Sequence, residues 1–181
     1  TCTEANFFAP GKISEKQILR THTAEYWNKL KTVSLSRKEE RKTGFPLTRE
    51  LVEREITICQ GTIDNCHYAM EHGISMNIAG GTHHAYADSG EGFCLLNDIA
   101  MASHYLLDNQ LAKQILVVDL DVHQGNGTAK IMENEKRVFT FSMHGAKNYP
   151  MHKEASDLDI ELLDGTEDAF YLKVLKQHLP K

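Results

Sequence analysis

The sequence predicts an α/β fold in which helices flank a parallel β-sheet. Residues 115–118 form a continuous apolar run, Ile-Leu-Val-Val, which is typical of a strand buried on both faces of a parallel sheet. Segments with helical spacing of apolar residues alternate with short apolar runs of this kind, as in α/β proteins. We therefore expect strands at residues 115–121 and 138–142, each between helices.

The composition is that of one globular domain. A chain of 181 residues with 41% hydrophobic residues can bury one sizeable core, so residues 1–181 are expected to form a single domain. With a net charge of −5 and no basic stripe, direct nucleic acid binding is not expected. No run of 18 apolar residues predicts a membrane span.

The cysteines indicate a reducing compartment. Cys2, Cys59, Cys66 and Cys94 show no Cys-x-x-Cys spacing. In a chain of this length they are expected to be the reduced thiols of a cytoplasmic protein.

Helix signals are clearest in the first half of the chain. Ser14 is expected to cap a helical turn, and Thr23 a short helix. Thr48 opens a long pattern of apolar residues at helical spacing, and Gly73 suits the position just after the last turn.

The other elements follow from shorter patterns. The charged residues 32–42 predict a solvated face or a flexible loop. Residues 74–79 predict a strand that is at least half buried. Further predictions are a helix at 95–108, a helix at 128–134, a loop at 145–158 and a last helix that starts at 164–166.

A metal-binding pattern follows the apolar run. Asp119, Asp121 and His123 occupy alternate positions, which share one face of a strand. Strand rise places the α-carbons of Asp121 and His123 about 6–7 Å apart, which suits two ligands of one ion. Carboxylate and imidazole together suit zinc or another first-row divalent metal. The structural alternative is a helix-capping Asp and a surface or core His. We favour the metal, because unpaired buried carboxylates are costly.

Adjacent histidines, His83 and His84, follow two glycines after the strand predicted at 74–79. Neighbouring side chains of an extended chain point to opposite sides. The pair can provide two metal ligands, two acid–base groups or a solvated loop. Gly80 and Gly81 allow close backbone approach, which favours a functional role. In the next glycine loop Phe93 is either a pocket wall or a core aromatic in a plain turn.

Three motifs occur in one order: GGTHHA at residues 80–85, GEGFCLLND at 90–98 and DLDVHQGNGT at 119–128. Together they resemble the zinc-dependent histone deacetylase family, which also includes bacterial acetylpolyamine amidohydrolases and acetoin-utilisation proteins. The Gln and Asn of HQGNG are most similar to its fourth class. The resemblance covers most of the chain and implies an arginase/deacetylase-like fold, with the active site at the carboxyl ends of parallel strands.

By motif position, the resemblance implies that Asp121 and His123 bind zinc. It places His83 and His84 beside the reacting water, with His84 as the general base and His83 as a cation. Asp119 matches the acidic residue that orients His83.

The resemblance also implies residues around this centre. Phe93 and Tyr149 match the two walls of an acyl-lysine channel. Ser142 and Met143 match part of a structural potassium site, together with the backbone of residues 119, 121 and 123.

The sequence departs from the family pattern at two positions and lacks two further site residues of the family. Gln124 stands where many relatives have a second His, and Asn126 where most have the Asp that pairs with His84. An amide raises the pKa of His84 less than a carboxylate would. The third metal ligand, an Asp on a later strand, and the transition-state tyrosine have no counterpart in residues 1–181. The resemblance therefore implies an N-terminal portion of the domain, incomplete at its C-terminus.

The activity implied is metal-dependent hydrolysis of N-acetyl-lysine in a peptide or protein. Two alternatives lie within the same chemistry: an acetylpolyamine amidohydrolase and a longer-chain lysine deacylase. An alternative of another class is a catalytically inactive binding module.

Overall fold

The computed structural model describes residues 3–179 and has the predicted α/β architecture, with helices beside a parallel sheet. A short 3-10 helix spans Glu4–Asn6. The elements that follow it are α1 (Glu15–Thr21), α2 (Ala24–Lys31), α3 (Arg37–Thr43), α4 (Arg49–His72), α5 (Asp98–Asp108), β1 (Ile115–Asp119), α6 (Asn126–Met132), β2 (Val138–Gly145), β3 (Leu158–Leu162) and α7 (Asp168–His178).

The three strands form one parallel sheet in the order β1-β2-β3. Asp119 at the end of β1 pairs in register with Ser142 of β2, which pairs with Asp159 of β3. Polar side chains of three strands thus lie in one row across the sheet, level with the carboxyl end of β1, and α/β proteins commonly place their sites at the carboxyl ends of strands.

Three clusters of buried apolar residues hold the elements together. The first joins α1, α2, α4 and α5 and contains Ile18, Trp27, Leu30, Ile63 and Met101. The second lies between α5, α6 and the sheet, with Leu107, Met132 and Val138. The third packs α7 against the other face of the sheet through Phe141, Met143 and Leu162.

The predicted helix starts are confirmed for α1, α2 and α4. The side chains of Ser14, Thr23 and Thr48 each accept a backbone N–H of the first helical turn. Helix α4 ends at His72, and Gly73 has the left-handed φ of 86° that favours glycine after a last turn.

The strand predicted at residues 74–79 is wrong. The segment is irregular, and its apolar residues Ile74, Met76 and Ile78 are more than 80% exposed. Its polar residues instead face α4: Ser75 donates to the side chain of Asn65, and Asn77 donates to the carbonyl of Ile58. No strand in the described part of the chain pairs with this segment. A strand needs backbone hydrogen bonds to a neighbouring strand, and alternation of apolar and polar residues does not provide them.

The charged segment 32–42 is a solvated face rather than a flexible loop: part of it belongs to α3, which Ser36 and Glu39 cap reciprocally, and residues 36–38 and 41–42 are exposed. One further expectation is corrected. Strand β3 lies beyond the loop predicted at 145–158, and its alternation of acidic and apolar residues was missed. Boundaries also shift: α5 begins at Asp98, α6 at Asn126, α7 at Asp168, β1 ends at Asp119, and β2 runs to Gly145.

Strand β1 is not buried on both faces, contrary to the prediction. Leu116 and Val118 are 43% and 40% exposed, whereas the intervening Val117 packs against the second cluster. Leu116 and Val118 are in register with Phe139 and Phe141 and share their face of the sheet, but α7 covers this face over β2 and β3 and leaves it open over β1.

The sequence predicts reduced cysteines and contains no long apolar run, and the structure bears on both points. Cys59, Cys66 and Cys94 are free thiols, while Cys2 lies outside the described residues. Across residues 3–179, none of the helices combines the length and the apolar character that a bilayer crossing requires.

Candidate active site

The site residues come from three segments that meet above the carboxyl edge of the sheet. Asp119 is the last residue of β1, and Asp121 and His123 lie in the turn that follows. His83 and His84 lie in the loop between α4 and α5, and Asn126 begins α6. The structure therefore brings the predicted motif residues together in space.

His83 is paired with Asp119. Its Nδ1 lies 2.5 Å from Asp119 Oδ2, and the two side chains are only 9% and 12% exposed. Burial lowers the pKa of His83, but the hydrogen bond and charge of Asp119 outweigh it, so the pKa is raised above 6.5. The carboxylate of Asp119 therefore favours the protonated form of the His83 imidazole.

His84 is paired with an amide instead of a carboxylate. Its Nδ1 lies 2.7 Å from Asn126 Oδ1, and its ring centroid lies 4.1 Å from that of His83, with the two ring planes tilted by 45°. Burial and then the charge of His83 lower the pKa of His84 below 6.5, and the hydrogen bond of Asn126 opposes this only in part. The pKa values of the two adjacent histidines are thus shifted in opposite directions, which favours a protonated His83 beside a neutral His84.

Asp121 and His123 lie at the open side of this pair. Asp121 Oδ1 is 3.1 Å from His123 Nδ1, with side chains 50% and 41% exposed, and the His123 ring lies 6.0 Å from that of His84. A carboxylate and an imidazole that converge in this way fit zinc, but as two of the three protein ligands of a catalytic site. No group of three or more His, Cys, Asp or Glu side chains is arranged for a metal within residues 3–179.

The loop that carries the histidines is fixed by Asn97 and α6. Asn97 Nδ2 donates to the carbonyl of Ala85 over 3.0 Å, and the N–H of Thr128 donates to the carbonyl of His83 over 3.0 Å. A Cβ on Gly127 would lie 2.6 Å from the carbonyl carbon of His84. The closeness of α6 to this loop therefore requires glycine at position 127.

Asp98 anchors the start of the same loop. Its side chain is fully buried. It accepts hydrogen bonds from the backbone N–H groups of Gly81 and Thr82 and from the hydroxyls of Thr62 and Thr82. This carboxylate ties α4 and α5 to the loop that ends in His83 and His84.

Asp98→Ala is expected to lower the free energy of unfolding by about 3–5 kcal/mol, because it leaves buried donors without their charged acceptor. Denaturant unfolding measures the change. Asp164→Ala is the matched control: Asp164 is exposed, so a change within about 0.5 kcal/mol is expected. Similar losses in both variants would contradict the anchoring role.

The predicted channel residues lie at the rim. The Tyr149 ring is edge-on to His84 at 5.0 Å, and a Cβ on Gly92 would lie 2.7 Å from the His84 ring. Phe93 is 65% exposed and packs edge-on against Phe45 at 5.3 Å. Phe93 is thus not a core aromatic, and its role as a channel wall stays a prediction.

Ser142, Met143 and Gln124 lie beneath the site. Ser142 Oγ is 2.9 Å from His144 Nδ1, and Met143 belongs to the third core cluster; their potassium role stays a prediction. Gln124 is buried, and its side chain bonds both the backbone N–H and the carbonyl of Glu154. The amide at 124 therefore holds the loop that precedes β3.

Sequence reasoning missed the residues around Asn126. Asn126 Nδ2 donates to Glu91 Oε1 over 2.9 Å and to the Tyr86 hydroxyl over 3.0 Å. Lys42 Nζ lies 2.8 Å from Glu91 Oε2. An acidic residue between two glycines, in the motif that also carries Phe93, was the available signal for Glu91.

Comparison with known proteins assigns the chain to a family. The sequence model of the family described as "Histone deacetylase domain" matches residues 1–181, the whole chain. The chain belongs to the histone deacetylase family. Members of this family typically depend on zinc.

Individual relatives agree with this assignment. Histone deacetylase 2 of Arabidopsis thaliana is 30% identical over 94% of the chain and 46% of its own length. An uncharacterized protein of Picosynechococcus sp. is 46% identical over 87% of the chain and 53% of its length. The chain thus spans about half the length of these curated relatives.

The crystal structure of a histone deacetylase homologue from Aquifex aeolicus shares the fold. It superposes with a TM-score of 0.84 at 22% identity, over 98% of this chain and 54% of that chain. The arginase/deacetylase-like α/β fold implied by the resemblance is therefore correct.

Proposed function

We propose that this deacetylase-family chain takes part in hydrolysis of an N-acetyl-lysine-type amide, with zinc as cofactor. One observation carries the proposal: His83, paired with Asp119, and His84, paired with Asn126, lie side by side next to Asp121 and His123. Asp121 and His123 would hold the metal. Bound zinc supplies a positive charge that acidifies water and polarises an amide carbonyl.

The proton transfers fall to the histidines. His84 donates Nδ1–H to Asn126 Oδ1, so its Nε2 is free to accept a proton from the attacking water and to return it to the leaving amine. His83 is held protonated by Asp119 and stabilises negative charge that develops nearby. Phe93 and Tyr149 would flank the apolar stem of the substrate.

We also propose the fourth class as the closest subgroup, which rests on Gln124 and Asn126. Ser142 and Met143 would contribute to a potassium site. A cytoplasmic location, no direct nucleic acid binding and no membrane association stay predictions from the sequence.

The test uses the complete protein as its gene encodes it, loaded with zinc, and an acetyl-lysine peptide. Release of acetate that stops on chelation and returns with zinc supports the proposal. A preference for an acetylpolyamine or a long-chain acyl peptide would correct the substrate. Stoichiometric zinc without turnover of any of the three would refute hydrolysis and indicate a binding module.

The pH dependence provides a further prediction. Because burial and the charge of His83 lower the pKa of His84, the base stays unprotonated to lower pH than an ordinary histidine. We expect kcat/KM to fall on acidification with a midpoint below 6.5. A pH–rate profile from pH 4 to 9 measures it, and a midpoint well above the usual histidine value would contradict the assignment of His84 as the base.

A further inference from the structure

Asn126 lies between the histidine and a carboxylate that the proposed mechanism does not use. Its Oδ1 faces His84 Nδ1 at 2.7 Å, and its Nδ2 faces Glu91 Oε1 at 2.9 Å. An amide has an acceptor at one end and a donor at the other. Which end faces His84 therefore decides which nitrogen of the neutral ring carries the proton.

The partners of Glu91 favour its ionised carboxylate, which can only accept hydrogen bonds. Its side chain is 13% exposed, Lys42 Nζ lies 2.8 Å from Oε2, and the Tyr149 hydroxyl donates to Oε1 over 2.6 Å. Burial alone would raise the pKa of Glu91, but these partners outweigh it and lower the pKa. An ionised carboxylate has no proton to donate, so the Asn126 atom that faces it must be the NH₂ group.

The other partner of Asn126 cannot impose this orientation. The Tyr86 hydroxyl lies 3.0 Å from Asn126 Nδ2 and 3.3 Å from Glu154 Oε1. A phenol both donates and accepts, so it would bond the amide in either orientation. Among the described contacts of Asn126 with groups other than His84, Glu91 is the one that favours one orientation of the amide over the other.

We propose that Glu91 is a positioning residue for His84: it orients the Asn126 amide, which holds the proton on Nδ1 of His84 and leaves Nε2 free as the proton acceptor. The importance of this for catalysis rests on the proposed hydrolytic function. The orientation itself rests on the hydrogen bonds alone.

The same geometry accounts for the amide at position 126. An aspartate there would direct one carboxylate oxygen at Glu91 Oε1, where Asn126 now places its NH₂ at 2.9 Å. Two carboxylates this close repel each other. Glu91 and Asn126 therefore form a matched pair, in which a carboxylate at one position requires an amide at the other.

The experiment measures the tautomer of His84 directly. Nitrogen-15 NMR of the complete protein, labelled at histidine, reports which ring nitrogen carries the proton, and the His84 signals are identified by their loss in His84→Gln. We expect Nδ1–H in the unaltered protein and a switch of most molecules to Nε2–H in Glu91→Met. An unchanged tautomer in Glu91→Met overturns the proposal.

Glu154→Met is the matched control. It also removes a carboxylate from this network, but one that reaches Asn126 only through Tyr86. The Nδ1–H tautomer is expected to persist. A switch as large as in Glu91→Met would mean that Tyr86 sets the orientation, which also overturns the proposal.

The double variant Glu91→Met/Asn126→Asp tests whether Glu91→Met acts through the orientation of the amide or through distortion of the loop. An aspartate accepts from both oxygens, so it holds Nδ1–H whichever way it turns. We expect the double variant to restore Nδ1–H, and failure to do so would mean that Glu91→Met acts by distorting the loop.

Kinetic measurements distinguish a failure of the positioning role of Glu91 from a failure of the proposed hydrolytic function. In the zinc-loaded protein, Glu91→Met is expected to lower kcat about 10-fold or more through the wrong tautomer, with KM within about two-fold. A switched tautomer with unchanged kcat would overturn the positioning role in catalysis. If the unaltered protein hydrolyses no acyl-amine, the proposed function fails, while the NMR result still decides what Glu91 does.

Discussion

His84→Ala is expected to lower kcat on an acetyl-lysine peptide by about 10²–10⁴-fold, because it removes the group that accepts and returns the proton. His84 bonds Asn126 rather than the proposed metal ligands. Zinc content is therefore expected to stay near that of the unaltered protein. Steady-state kinetics and elemental analysis of the complete protein measure the two effects.

His178→Ala is the matched control for this change, since His178 is the last residue of α7, remote in sequence from the three motifs, and is exposed. Its kcat is expected to be unchanged. Turnover by His84→Ala within a few-fold of the unaltered protein would refute the assignment of the base. Loss of zinc in His84→Ala would show instead that this imidazole belongs to the metal site.

Asp121→Ala is expected to produce the opposite pattern, with loss of the metal and of activity together. Removing a residue that only supports a ligand commonly costs 10–100-fold in metal affinity, so loss of a ligand is expected to cost more than about 100-fold. Competition with a chromophoric chelator measures the zinc affinity. The main control is Asp157→Ala: Asp157 accepts hydrogen bonds from the N–H and hydroxyl of Thr140, and no metal role is assigned to it.

The affinity of the Asp157→Ala protein is expected to stay within a few-fold of the original. If Asp121→Ala kept stoichiometric zinc at the affinity of the unaltered protein, the ligand assignment of Asp121 would be wrong. Since only two metal ligands, Asp121 and His123, are proposed here, a polypeptide of residues 1–181 alone is also expected to bind zinc weakly.

The two variants test different parts of one arrangement. Asp121 and His123 are 50% and 41% exposed, whereas His83 and His84 are buried. Metal-assisted amide hydrolysis needs acid–base groups held by fixed partners beside an accessible metal ion, and Asp121 and His123 are the proposed ligands of that ion. Separate loss of turnover and of metal would locate the two functions on these two sets of residues.

Local chemistry in the sequence was sufficient to predict the limits of α4, the position of β1 and the family. The caps Thr48 and Gly73 predicted the limits of α4, since a hydroxyl and a left-handed glycine act on their own helix. The run before Asp119 predicted β1, but the shared strand face predicted for Asp119, Asp121 and His123 is wrong, because Asp121 and His123 lie in the turn after the strand. The three motifs together predicted the family.

Tertiary structure decided what depends on partners remote in sequence. Residues 74–79 alternate like a strand, but Asn77 bonds α4 and no described strand supplies a backbone ladder. The apolar run of β1 reads as buried on both faces, yet α7 packs only over β2 and β3 and leaves Val118 of β1 exposed. Periodicity records only which side chains share a face, and neighbours decide whether that face is covered.

The environment of Asn126 was likewise decided only in three dimensions. The sequence by itself determined that residue 126 is an amide in the motif that follows Asp119 and His123. The fold brought Glu91, 35 positions away in the chain, against its NH₂ group and His84 against its oxygen. A hydrogen bond between two loops depends on distance and direction, which a residue pattern does not encode, and it is this contact that orients the proposed base.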